Sequence, residues 1–171
     1  MCGIFGIIGQ SHNNLAYIKS LSRHAKRRGQ DSSGIMMFQD EYSVQRADFD
    51  ISKLTKDLRI KNPEIFLGIG RLITNDNQAK QPFLSDDICV FHNGIIVNDN
   101  EVFEKEKINR LSNLDTEVFY ALVKKYSKDI DLKKFKDIFL SKCQGTFSVA
   151  IALPKLGKLI LFSNHGSLYL G

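Results

Sequence analysis

What most constrains this chain is an alternation. Short apolar runs of strand character take turns with amphipathic helical stretches from end to end, and no linker or internal repeat interrupts the series. Residues 2–8 read as a short strand and 14–28 as a helix; 34–38 and 42–46 read as a hairpin about a Gln39-Asp40 turn. Residues 66–73 and 88–91 read as buried strands joined by a polar segment over 74–87. A helix follows over 115–126, capped by Ser112, Asn113 or Asp115. Residues 146–153 and 158–163 form a second hairpin around Pro154-Lys155-Leu156-Gly157. Residues 50–64, rich in Lys and Asp, read as a surface excursion. The first helix is expected to bury Leu15, Ile18 and Leu21 and to stop at Gly29. Its basic end, Arg23-His24-Ala25-Lys26-Arg27-Arg28, suits the negative pole of the helix dipole. In 171 residues this pattern predicts one domain of α+β or layered αβ class.

Charge and cysteine usage narrow the function classes. The chain carries 24 Lys+Arg against 19 Asp+Glu, a net +5. Residues 122–142 alone hold seven Lys and three Asp, with apolar residues at helical spacing between them. That is the pattern of a solvated face on an amphipathic helix. The Arg23-to-Arg28 cluster has no interleaved aromatic residue, so a nucleic-acid partner is not expected. No apolar run approaches the ~20 residues of a membrane span, and the opening residues lack the basic region of a signal peptide. Three Cys, an odd number, without paired Cys/His spacing argue against both a disulfide framework and a metal site. A reducing, cytoplasmic compartment follows. The glycines fit neither a dinucleotide fingerprint nor a P-loop, since no G-K-[ST] occurs.

Among the cysteines, Cys89 and Cys143 lie in or beside apolar runs and read as core. Cys2 differs by position. A small residue after the initiator Met favours methionine removal, which leaves a thiol and a free α-amine on one residue. With pKa values of ~8.5 and ~7.7–8.0, these two groups form a nucleophile and base in one.

The neighbours of Cys2 sharpen this reading. Cys2-Gly3-Ile4-Phe5-Gly6-Ile7-Ile8-Gly9 resembles the opening of the class II, N-terminal-nucleophile glutamine amidotransferases. Further segments resemble that family in the same chain order. They are Arg28-Gly29-Gln30-Asp31-Ser32-Ser33-Gly34, Gly70-Arg71-Leu72-Ile73-Thr74, His92-Asn93-Gly94-Ile95-Ile96-Val97-Asn98 and Leu114-Asp115-Thr116-Glu117-Val118. Gln144-Gly145-Thr146-Phe147-Ser148-Val149-Ala150 and the closing Gly166-Ser167-Leu168-Tyr169-Leu170-Gly171 resemble later core strands.

The resemblance implies a four-layer αββα sandwich in which residues 1–171 form a single glutaminase domain, with some C-terminal strands lying beyond Gly171. It implies that L-glutamine is hydrolysed through a γ-glutamyl thioester on Cys2, without cofactor, and that ammonia passes to a separate synthase domain or subunit. Asn93 and the Gly94 N–H would form the oxyanion hole. Arg71, with Thr74, would hold the α-carboxylate, and Asp115 the α-ammonium. Arg28, Asp31 and His92 would support the site. Taken one by one, Asp115 also suits a helix cap, Arg71 a surface ion pair and Asn93-Gly94 a turn. An inactive glutamine-binding module and an amidohydrolase for another amide stay open as alternatives.

Overall fold

A computed structural model describes residues 2–9, 11–38, 41–56, 58, 63–73, 80–127, 134–166 and 168–171. Contacts group the chain into two compact units, Met1–Pro82 and Phe83–Gly171.

The first unit holds β1 (Gly3–Ile8), α1 (Asn14–Lys26), β2 (Ser32–Phe38), β3 (Tyr42–Ala47), α2 (Ile51–Lys56) and β4 (Ile65–Arg71). Its four strands form an antiparallel sheet in the order β1-β4-β2-β3. The two central strands are buried almost throughout, whereas the edge strand β3 alternates. Ile18, Ala25 and Ile51 of the helices pack with Ile35, Met37 and Phe66 of the sheet, and Phe5 and Ile7 of β1 join them.

Two expectations change here. Residues 51–56 are not a surface excursion but a helix, with Ile51 and Thr55 buried one turn apart. Asp50 caps it: its Oδ1 accepts the N–H groups of Ser52 (3.0 Å) and Lys53 (3.2 Å). The exposed Lys53 and Lys56 beside the buried positions give the segment its polar look. Helix α2 also turns the buried stripe of α1, which covers Ile18, Ser22 and Ala25 while Leu15 and Leu21 are only half-buried. Ser22 can lie inside because Thr55 donates a hydrogen bond to its hydroxyl at 2.9 Å. The Gln39-Asp40 turn lies outside the described residues, although β2 and β3 pair as a hairpin requires.

The second unit holds β5 (Phe83–Ser85), β6 (Ile88–Ile96), α3 (Asp99–Glu106), α4 (Glu117–Tyr126), α5 (Phe135–Lys142), β7 (Gly145–Leu153), a 3-10 turn (Pro154–Leu156) and β8 (Lys158–Ser163). The strands run as an antiparallel meander, β5-β6-β7-β8. Aromatic side chains dominate the core. Phe119 packs against Phe139, Phe147 and His92 with ring centroids 5.1–5.2 Å apart, and Phe162 closes on Phe147.

In this unit β6 runs five residues past the expected end at Phe91, so His92-Asn93-Gly94 sits within the β6–β7 ladder and not in a turn. Residues 128–133 of the lysine-rich stretch lie outside the described residues; the flanking parts fall in α4 and α5, whose Lys124, Lys125 and Lys142 pair with Asp86 and Glu106. Residues 168–171 form no strand, contrary to the core-strand expectation for the closing segment. Cys89 and Cys143 are buried as expected. Among the described residues no helix is long and apolar enough to cross a membrane.

Candidate active site

In the first unit, strand register gathers the candidates at one end of the sheet. Gly3 faces Gly70 across the β1–β4 ladder. Cys2, one residue before Gly3, therefore lies at the same end as Arg71, one residue after Gly70. Cys2 is 9% exposed, and its Sγ lies 4.0 Å from the Leu72 carbonyl. Its own carbonyl accepts a hydrogen bond from Arg28 Nε at 3.2 Å. Asp31 holds the opposite flank: its N–H donates to the Arg71 carbonyl at 3.0 Å, and its Oδ2 accepts the Ile73 N–H at 2.8 Å. Arg28 thus fixes the residue at the start of β1, and Asp31 brackets the chain on either side of Leu72. Arg71 itself is buried. Thr74 lies outside the described residues.

Gly29 belongs to this cluster for a reason unlike the expected one. Its backbone is not left-handed; a Cβ there would lie 2.4 Å from the Arg71 carbonyl carbon and 2.5 Å from the Leu72 nitrogen. Close backbone approach, not helix termination, requires glycine at this position.

In the second unit, β6 delivers His92, Asn93 and Gly94 in succession. Gly94 has φ +147°, and a Cβ would fall 1.9 Å from the Thr146 carbonyl oxygen, so no other residue fits. Asn98, the last residue of the same motif, locks the end of β6 to the start of β7. Its Nδ2 donates to the Lys142 carbonyl at 2.9 Å, and its Oδ1 accepts the Gln144 N–H at 2.8 Å.

His92 is buried, with Nδ1 3.2 Å from Thr116 Oγ1 and 3.6 Å from Asp115 Oδ1. Asp115 Oδ2 accepts the Ile96 N–H at 3.0 Å. Asp115 is not the helix cap: α4 starts at Glu117 with Thr116 in the capping position, and Asp115 turns its carboxylate to β6. Burial acts to raise its pKa, but the hydrogen bond and charge of His92 and the N–H groups of Ile96 and Thr116 outweigh it. The carboxyl is held below the usual carboxylate range. Cys143 shows the opposite case, a thiol that burial pushes up to about 12 and so keeps inert.

Thr116 and Glu117 fall within the Leu114-to-Val118 motif but receive no role from sequence. The available signal was a carboxylate opening an otherwise apolar helical run, Glu117-Val118-Phe119-Tyr120-Ala121-Leu122-Val123, all of it buried. Among the described residues no group of three or more His, Cys, Asp or Glu could hold a metal ion.

A family described as "Glutamine amidotransferase domain" matches residues 70–170. The chain is 27% identical to glutamine–fructose-6-phosphate aminotransferase (isomerizing) of Campylobacter jejuni, over 98% of this chain and 29% of that protein. It is 28% identical to 7-cyano-7-deazaguanine synthase of Saccharolobus solfataricus, over 99% of this chain and 40% of that protein. The solved structure of glutamine phosphoribosylpyrophosphate amidotransferase from B. subtilis matches with a TM-score of 0.66 at 23% identity, covering 89% of this chain and 35% of that one. That likeness bears out the α+β class, here realised as two antiparallel sheets with their helices. The chain spans 29% and 40% of the lengths of the two relatives.

Proposed function

Because the chain belongs to the glutamine amidotransferase domain family, we propose that it carries the glutaminase half-reaction, L-glutamine + water → L-glutamate + ammonia. The family match carries this reading, since residues 70–170 include Arg71, Asn93, Gly94 and Asp115. Both units serve one glutaminase domain over 1–171. Once Met1 is removed, the Cys2 α-amine takes the thiol proton and the thiolate attacks the side-chain amide carbon. Asn93 and the Gly94 N–H receive the developing oxyanion. The C–N bond breaks as the ammonium of Cys2 returns its proton to the leaving nitrogen, giving ammonia and a γ-glutamyl thioester. Water, deprotonated by the same amine, then releases glutamate and restores the thiol.

Recognition uses opposite charges for the two ends of a free amino acid. Arg71 takes the α-carboxylate, with Thr74 adding a hydroxyl, and Asp115 takes the α-ammonium. Arg28 and Asp31 keep the Cys2 and Arg71 backbone in place, and His92 keeps Asp115 oriented. Ammonia is consumed by acceptor chemistry outside these 171 residues. Buried thiols and a thiolate nucleophile suit a reducing cytoplasm.

The test combines intact mass with ammonia release from glutamine. The expected protein lacks one methionine and turns glutamine over, and Cys2→Ala loses activity by about 10³ or more. A Cys2→Ala protein as active as the parent overturns the mechanism. Glutamine binding without turnover would leave a binding module, and turnover of an unrelated amide alone would redirect the substrate class.

A further inference from the structure

Glu117 is a carboxylate with 1% exposure at the first position of α4. No Lys, Arg or His nitrogen lies within 4.0 Å of it among the described residues. A buried charge without a counter-ion persists only if donors satisfy it. Three do: the N–H groups of Leu111 and Ser112, each at 2.6 Å, and Ser112 Oγ at 2.8 Å. These bonds do not cap the helix. They run backwards, to the loop that leads into Asp115. Within the same loop Ser112 Oγ accepts the Leu114 N–H at 3.2 Å, and Glu117 N–H donates to the Leu114 carbonyl at 3.1 Å. Arg110 Nε donates to the Ser112 carbonyl and its guanidinium pairs with Asp99 of α3 at 2.7 Å. Residues 111–117 thus form a closed ring with Asp115 as a member. His92 and the Ile96 N–H set the Asp115 carboxylate from β6, and the Glu117 ring sets its backbone from the other side.

We propose that Glu117 is a positioning residue for the α-ammonium of the substrate, acting through Asp115; this rests on the reading of Asp115 given above. A misplaced carboxylate loses much of its hold on a charged group, whereas the amide chemistry at Cys2 does not depend on it. Glu117→Gln keeps one acceptor oxygen but sets an NH₂ against a backbone N–H, so the ring opens on one side.

The experiment compares kcat/KM for glutamine with that for glutaramate, the same side-chain amide without an α-amino group, in the parent, Glu117→Gln and Asp115→Asn. Glu117→Gln is expected to lower the glutamine-to-glutaramate ratio about tenfold, mainly through the KM for glutamine. Equal losses on both substrates, or no loss, overturn the proposal by reducing Glu117 to a fold residue. If Asp115→Asn leaves the ratio at the parent value, the reading of Asp115 fails and the proposal falls with it. If Asp115→Asn collapses the ratio and Glu117→Gln does not, only the Glu117 proposal fails. Should Glu117→Gln not fold, Ser112→Ala decides. It removes one of the three donors and is expected to shift the ratio in the same direction by about twofold to threefold; an unchanged ratio overturns the proposal.

Discussion

The two units hold their candidate residues by different physical means. In residues 1–82 backbone packing does most of the positioning, with the Arg28 and Asp31 side chains holding the Cys2 and Ile73 backbone. Strand register brings Cys2 and Arg71 to one sheet end, and Gly29 lets a second backbone segment lie against Arg71 and Leu72 with no room for a Cβ. In residues 83–171 polar side chains add more to the positioning, beside the β6–β7 ladder that leaves Gly94 no room for a Cβ. Asp115 bonds Ile96, Glu117 bonds Leu111 and Ser112, Asn98 bonds residues 142 and 144, and Glu106 gathers Lys125, Tyr126 and Lys142. Backbone packing and largely buried side-chain latches fail differently. An added methyl group in the first meets atoms that cannot turn away, whereas a trimmed side chain in the second releases one loop.

The contrast predicts its largest effect at Gly29. Gly29→Ala introduces a Cβ 2.4 Å from the Arg71 carbonyl carbon, so either the 28–31 segment or the end of β4 must move. A loss of about 3 kcal/mol is expected, read as a lower denaturant midpoint with an unchanged m-value, together with loss of glutaminase activity. A loss under about 1 kcal/mol would show that this backbone yields, and the contrast between the units would break.

The same difference explains what the sequence could and could not reveal. Cys2, Asn93, Gly94 and Asp115 stand out as candidates in the sequence because residue type, order and neighbours suggest the chemistry. Gly94 has a φ that side chains rarely adopt and no room for a Cβ. Gly29 was legible as a glycine but assigned the wrong cause, since the segment that crowds it is more than forty residues away in sequence. Residues 51–56 look like surface in the sequence because composition counts Lys53 and Lys56 but cannot see Ile51 and Thr55 meeting α1. Glu117 and Asn98 stand inside recognised motifs with no visible task, because most of their partners are backbone groups that acquire meaning only once the chain is folded. Backbone approach and side-chain-to-backbone latches leave weak traces in one sequence; a cysteine at position two does not.

A second, smaller effect is expected at Glu106. Burial acts to raise its carboxyl, but hydrogen bonds from Lys125, Lys142 and Tyr126 and the Lys142 charge outweigh it, lowering the pKa from 4.5 to about 2. A group depressed in the folded state stabilises fully above its unfolded pKa, and that stability is lost as pH falls through the folded value. The parent should therefore lose stability between about pH 4.5 and 2 by a component that Glu106→Gln lacks. At neutral pH the same substitution should cost about 1–2 kcal/mol, moderated because Lys125 and Lys142 keep 39% and 30% of their side-chain exposure. Parallel acid-stability curves for the two proteins would remove Glu106 from the set of buried latches.

The smallest effect tests whether burial, and not the presence of an ion pair, makes a latch. Lys80 and Asp48 pair at 2.7 Å in the first unit, with side chains 40% and 70% exposed. Water already solvates both charges, so the Coulomb gain is small and ordering two side chains offsets much of it. Lys80→Ala should change stability by no more than about 0.5 kcal/mol, and raising the salt concentration should shrink even that difference. Glu106→Gln should retain most of its cost at the same salt, because its carboxylate is only 9% exposed. If instead the Lys80 and Glu106 substitutions respond alike to salt, distance alone governs the pairs, and the separation of buried latches from surface pairs does not hold.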